Sequence, residues 1–224
     1  MSATHPLHDL KTRLTAGLDP IETWSPDRRP VRSDFDLNPD RDRTMFPAVS
    51  ALRPAAVLIP IIAHAEGPTV LLTRRSDTLT SHTGQIAFPG GRLDAGETAV
   101  QAALREADEE VALSPSVVEV LGLGDTYETG TGFRITPVVG WLTEPPRLTP
   151  SADEVAEVFE VPFDFLMDVA NHRRDHYDPE TGPRRWYWAM PWQERYIWGV
   201  TAGIVRGLHA RLYGEDTRAD ENAA

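Results

Sequence analysis

Residues 91–113 read GRLDAGETAVQAALREADEEVAL, and no other stretch constrains the chain so tightly. Glu97 and Thr98 open a run free of Pro and Gly until Pro115, rich in Ala, Leu, Glu and Arg, and such a run forms helix. At about 100° per residue, Val100, Leu104, Ala107 and Val111 share one stripe, and Glu106, Glu109 and Glu110 converge roughly 140° away. One face is predicted to pack and the other to be acidic. Glu106 and Glu110 lie one turn apart with Glu109 beside them, so their carboxylates are neighbours that repel. Hard oxygen ligands crowded in this way suit Mg2+ or Mn2+. A charge run on a helix is ordinarily a solvated face, so the segment before the helix decides between the two readings.

That segment is Phe88-Pro89-Gly90-Gly91, a rigid turn with two glycines that lets backbone approach the helix closely and leaves carbonyls available as ligands. Glu97 and Arg105 are separated by slightly more than two turns, a spacing that lets them pair along the helix and orient the acidic cluster. Loop and helix read as one unit.

The unit resembles the box of the Nudix hydrolases, G-x5-E-x7-R-E-U-x-E-E-x-G-U with U apolar, at Gly91, Glu97, Arg105, Glu106, Glu109, Glu110 and Leu113. Ala112 stands where the pattern has Gly, and Ala107 where a larger apolar residue is usual. If the helix exit needs a left-handed residue, Ala112 costs about 1 kcal/mol. Upstream, LLTRRSDTLTSHTGQIAFPGG is similar to the signature of the coenzyme A pyrophosphatases of that superfamily, roughly L-L-T-x-R-S-x3-R-x3-G-x3-F-P-G-G. It matches at Leu71, Leu72, Thr73, Arg75, Ser76, Gly84, Phe88, Pro89, Gly90 and Gly91. It departs at Thr80, where the signature has Arg, and a missing cation there weakens recognition of an anionic substrate. Thr136-Pro137-Val138-Val139-Gly140 and the segment from Trp198 to Ile204 resemble later parts of the same branch.

The resemblance implies an α/β fold, an α/β/α sandwich with a mixed sheet and a loop-helix-loop metal site. It implies metal-assisted hydrolysis of a pyrophosphate bond, with coenzyme A or an acyl derivative yielding (acyl-)4'-phosphopantetheine and adenosine 3',5'-bisphosphate. Carried over by position, Glu106, Glu109 and Glu110 are the metal ligands with the Gly90 carbonyl, and Glu97 and Arg105 organise them. Glu106 is one candidate for the general base. Glu154, an acidic residue outside the box at the start of a structured segment, is the other. Arg75 is the expected phosphate contact because guanidinium is the planar partner of phosphate, and Ser76 adjoins it. His82 has no partner that marks it as a base and reads as a loop residue. Two alternatives compete with this function: hydrolysis of another nucleoside diphosphate derivative such as ADP-ribose, and a non-catalytic ligand-binding module on the same fold.

Composition agrees with a globular enzyme: 224 residues, 41% hydrophobic, are enough for one well-buried domain. The absence of cysteine excludes disulfides, thiolate catalysis and cysteine zinc sites. No apolar stretch is long enough to span a membrane and the N-terminus lacks a signal-peptide core, so a cytoplasmic protein without membrane contact is expected. A net charge of −12 argues against nucleic acid as a partner. With an anionic substrate, that charge requires cations and local arginines to reverse the field at the site. A homodimer is left open.

Residues 1–45 read as an N-terminal helix, at 4–17, followed by an extended Pro- and Asp-rich arm. Residues 46–214 read as the hydrolase domain, with its core starting near residue 50, and 215–224 as a polar tail. Within the domain, 55–63 reads as a buried strand with 69–73 as its hairpin partner, and 117–123 and 134–142 as strands joined by a Gly-rich segment. Residues 155–161 read as a short strand, 163–170 as a short helix, 185–190 as an edge strand and 194–213 as a long terminal helix. Tyr127, Phe133, Trp186, Trp188, Trp192 and Trp198 are candidates for an adenine-stacking surface or a subunit interface, although large aromatics more often serve cores.

Overall fold

A computed structural model describes residues 6–76 and 84–214. Thr80, His82 and the 215–224 tail lie outside the described residues. In chain order the elements are α1 (Pro6–Gly17), β1 (Arg32–Ser33), β2 (Arg53–His64), β3 (Gly67–Arg75), β4 (Ile86–Ala87), β5 (Gly90–Arg92), α2 (Ala99–Val111) and β6 (Glu119–Leu123). There follow β7 (Tyr127–Glu128), β8 (Phe133–Leu142), β9 (Val155–Pro162), α3 (Phe163–Met167), β10 (Arg173–Tyr177), β11 (Arg185–Trp192), β12 (Arg195–Trp198) and α4 (Val200–Tyr213).

The apolar run AAVLIPIIA forms the middle of β2. It lies parallel to β8, with Leu58 opposite Val138, and antiparallel to β3. The main sheet runs β1-β7-β8-β2-β3-β4, with β5 attached to β2, β6 to β8 and β9 to β3. Successive side chains of a strand point to opposite faces. Leu58, Ile62, Leu71, Val138 and Leu142 accordingly pack with the buried face of α2. Ile59, Ile61, Val70, Leu72, Val139 and Trp141 pack on the other side with residues of α1, α3 and α4. Both faces of the central strands are covered, which is why their sequences are apolar throughout rather than alternating. The result is an α/β/α sandwich around a mixed sheet. Among the described residues no helix is long and apolar enough to cross a membrane.

Four local expectations need correction. Residues 194–213 are not one helix. Arg195–Trp198 returns along β11 through a two-residue turn at Gln193 and Glu194, and the helix begins only after Gly199, whose φ of 61° favours glycine. Residues 185–190 are not an edge, because β11 is the central strand of a second, three-stranded sheet between β10 and β12. Part of the Gly-rich segment 125–132 is strand, since β7 pairs with both β1 and β8. Finally, the core does not start near residue 50: Leu10, Leu14 and Leu18 are buried in the larger cluster.

Candidate active site

Helix α2 is set by its ends. Thr98 caps it through a reciprocal box with Gln101, whose side chain accepts from the Thr98 N–H. The far end closes on Ala112 in the left-handed conformation, φ 55° and ψ 35°, which is where glycine would relieve strain. Its buried face is made of small residues, Ala99, Ala102, Ala103 and Ala107, then Val111, so the helix lies close to the sheet. Val100 and Leu104 are only partly buried. The true face is therefore rotated from the predicted stripe, and it carries Glu110 inward: Glu110 is 4% exposed.

The three box carboxylates consequently sit in three environments. Arg105 donates to Glu97 through both Nε (2.9 Å) and Nη2 (3.0 Å), and its Nη1 reaches Glu106 (2.9 Å) and Glu109 (3.0 Å). One guanidinium thus fixes three carboxylates, and its hydrogen bonds hold Glu97 below the usual carboxylate range. Glu109 stays largely in solvent. Burial raises the Glu106 carboxyl; Arg105 opposes this, and the charges of Glu109 and Glu154 add to it. Glu110 is pushed up to about 8 by burial; Arg75 and the Gly90 N–H oppose the shift, and Glu106 and Glu154 reinforce it.

The Phe88-Pro89-Gly90-Gly91 turn brings backbone against this cluster. A Cβ on Gly91 would lie 2.3 Å from Glu106 Oε1, and one on Gly90 2.4 Å from the Ala56 carbonyl oxygen. Only glycine fits at either place without displacing its neighbours. Arg75, at the end of β3, points its Nη1 to 3.9 Å from Glu110, and among the described residues its buried Nε has no hydrogen-bond acceptor. Ser76 is buried, and its N–H donates to the Glu154 carbonyl (2.8 Å). The loop carrying Glu154 is pinned to the end of α2, since the Thr149 N–H donates to Val111 and the Ser151 N–H to the Glu110 carbonyl. Glu154 is thereby held within electrostatic reach of Glu106 and Glu110.

A cleft of about 430 Å³ opens beside this cluster, with Glu110, Arg75 and Gly90 in one wall. Tyr127, Phe133, Trp186, Trp188 and Trp198 line it as well, whereas Trp192 stacks on Phe159 with centroids 6.2 Å apart. Ser76 and Glu154 do not form its walls. The remaining wall comes from the arm. Val31 and Asp34 donate to carbonyls of the β7 segment, and the buried Asn38 holds the backbone of Trp186 by donating to its carbonyl and accepting from its N–H, both at 2.8 Å. These contacts bring Asp34, Asn38 and Arg41 into the cleft. Sequence reasoning passed over all three. The only local signal was a pair of aromatics, Phe35 and Phe46, in an otherwise polar stretch.

The model of the NUDIX domain matches residues 52–180, a span that contains the helix, the glycine turn and Arg75. The chain belongs to the Nudix family. Similar proteins bear the name "Uncharacterized Nudix hydrolase NudL", two of them as follows. The one from Pectobacterium atrosepticum is 42% identical over 186 residues, covering 80% of this chain and 95% of the relative. The one from Escherichia coli K12 is 45% identical over 163 residues, covering 71% and 83%. A solved Nudix hydrolase from M. smegmatis, RenU, aligns with 50% of this chain and 71% of its own at 28% identity and a TM-score of 0.43.

Nudix hydrolases generally act with divalent metals, and the donor set here suits one. Every candidate ligand is a hard oxygen, and two of the carboxylates are raised by burial, with neighbouring carboxylates adding to it, by more than Arg75 and Arg105 offset. Among the described residues no three ligating side chains are already gathered into a metal-sized cluster. Arg105 draws Glu106 and Glu109 to one side, using one oxygen of each.

Proposed function

We propose that this Nudix hydrolase cleaves the pyrophosphate of coenzyme A or an acyl-coenzyme A, releasing (acyl-)4'-phosphopantetheine and adenosine 3',5'-bisphosphate. The observation that carries the reading is Arg75. The arginine of the L-L-T-x-R-S stretch that opens the coenzyme A-type signature stands in the wall of the cleft, with a buried donor that has no acceptor among the described residues, next to the one buried carboxylate of the box. A phosphate oxygen would supply that acceptor.

In this reading Glu106, Glu109 and Glu110 hold a divalent cation, Mg2+ or Mn2+, with the Gly90 carbonyl as a further ligand. When bound, such an ion neutralises phosphate oxygens and lowers the pKa of water. Arg105 and Glu97 keep Glu106 and Glu109 oriented. Arg75 binds and aligns the pyrophosphate. Glu154 takes the proton from the attacking water, because it is held beside the cluster yet, unlike Glu106, is not tied to Arg105. Water adds across the P–O–P link: one phosphorus gains the hydroxyl and the other leaves as a phosphate monoester.

The test is metal-dependent hydrolysis of coenzyme A beside ADP-ribose, NADH and diadenosine polyphosphates, with products identified by mass spectrometry. Release of 4'-phosphopantetheine with a clear preference for coenzyme A is expected. A preference for another of these substrates keeps the hydrolase chemistry and discards coenzyme A; turnover of none overturns the reading.

A further inference from the structure

We propose that Arg41 and Arg185 form a second anion subsite in the cleft, one that takes a phosphate monoester carried by the substrate in addition to its pyrophosphate. Three arginines line the cleft, Arg41, Arg75 and Arg185. Arg75 faces Glu110, but among the described residues neither Arg41 nor Arg185 makes an ion pair. The Arg41 guanidinium lies over the rings of Phe46 (4.2 Å) and Phe35 (4.9 Å). Arg185 donates to the Tyr177 hydroxyl (3.0 Å). The nearby carboxylate, Asp34, is already engaged, accepting from the Tyr127 hydroxyl (3.0 Å) and the Gly130 N–H (2.7 Å).

Burial lowers the Arg41 pKa and the charge of Arg185 lowers it further, with Asp34 and Tyr177 opposing. Two cations held close in a partly desolvated cleft repel, and a doubly charged anion between them removes that repulsion. In a chain of net charge −12, two cleft arginines make no ion pair among the described residues. Their placement is also fixed: Asn38, three residues before Arg41, holds the backbone of Trp186, the residue after Arg185. Both arginines fall outside residues 52–180, the span matched by the family domain. The two residues therefore flank the matched span, one on each side of it.

The inference rests on the cleft being the site of a pyrophosphate substrate, so its test uses binding as well as turnover. By titration calorimetry on the full-length protein with Mg2+, adenosine 3',5'-bisphosphate is expected to bind about tenfold or more tightly than AMP, the worth of a charge-assisted phosphate contact. Arg41→Gln and Arg185→Gln should each collapse that ratio toward one, and Arg41→Lys should retain part of it. Because the two arginines sit on different elements, a local disturbance of the arm in one variant does not explain loss in both. Equal affinity of the wild type for both nucleotides, binding of neither, or an undiminished ratio in both Gln variants overturns the subsite. Parallel hydrolysis of coenzyme A and dephospho-coenzyme A separates the two claims. Cleavage of both at equal KM leaves the hydrolase and removes the subsite. Cleavage of neither, with the affinity ratio and its loss intact, leaves the subsite and removes the coenzyme A assignment.

Discussion

Glu110 meets two conflicting demands: the ligand role proposed for it calls for an ionised carboxylate, and its burial on the packed face of α2 penalises that charge. Its carboxyl sits at about 8 in the folded chain against 4.5 as its ordinary value. Between those values the folded state holds more protons than the unfolded one, so stability falls as pH rises through that window. Glu110→Gln removes the charge while keeping the shape. In chelator at pH 8 the variant should therefore be more stable than wild type by roughly 4 kcal/mol, the gap closing toward pH 5, and metal-dependent turnover should be lost. Urea unfolding at the two pH values checks this. A Gln variant no more stable than wild type at pH 8 would contradict a buried, undercompensated carboxylate.

Elements far apart in sequence are joined by arginine. From α4, Arg211 donates to Asp19 (2.8 Å), to Asp125 (2.7 Å) and to the Gly17 carbonyl (3.0 Å), while Arg28 and Arg32 complete the network. Asp125 is nearly buried. Arg211→Ala should cost roughly 2–4 kcal/mol, less than for a wholly orphaned charge because Arg28 and Arg32 remain. Chemical denaturation measures it, and a loss below 0.5 kcal/mol, the scale of an ordinary surface change, would mean that the network is only decorative. This joint also shows where the sequence stops being readable. The central strands and α2 were legible because burial on both faces or on one stripe writes itself into local pattern. The Glu97–Arg105 pair and the Gly90–Gly91 approach followed from spacing. Arg173–Tyr177, reading RRDHY, has no apolar alternation to announce a strand, and Arg195–Trp198 hid behind helix-compatible neighbours until Gly199. The inward turn of Glu110 was missed because the larger apolar residues, Val100 and Leu104, drew the stripe away from the alanines that pack.

At the scale of the whole molecule, the main sheet and α2 supply one side of the cleft, and the arm and second sheet supply the other. Asn38 is the clasp between the arm and that sheet. Asn38→Ala would strand the Trp186 N–H and carbonyl, costing about 1–3 kcal/mol, and should let trypsin cut at Arg41 or Arg43 sooner than in wild type. Equal digestion rates would show that the arm is held mainly by its β7 pairing and by Arg43 on Glu128 (2.7 Å). The clasp joins residues 148 positions apart, so its second half is synthesised well after the whole glutamate helix. A chain that carries the complete box but stops short of Trp186 lacks the wall of the cleft that Asn38 and Trp186 share.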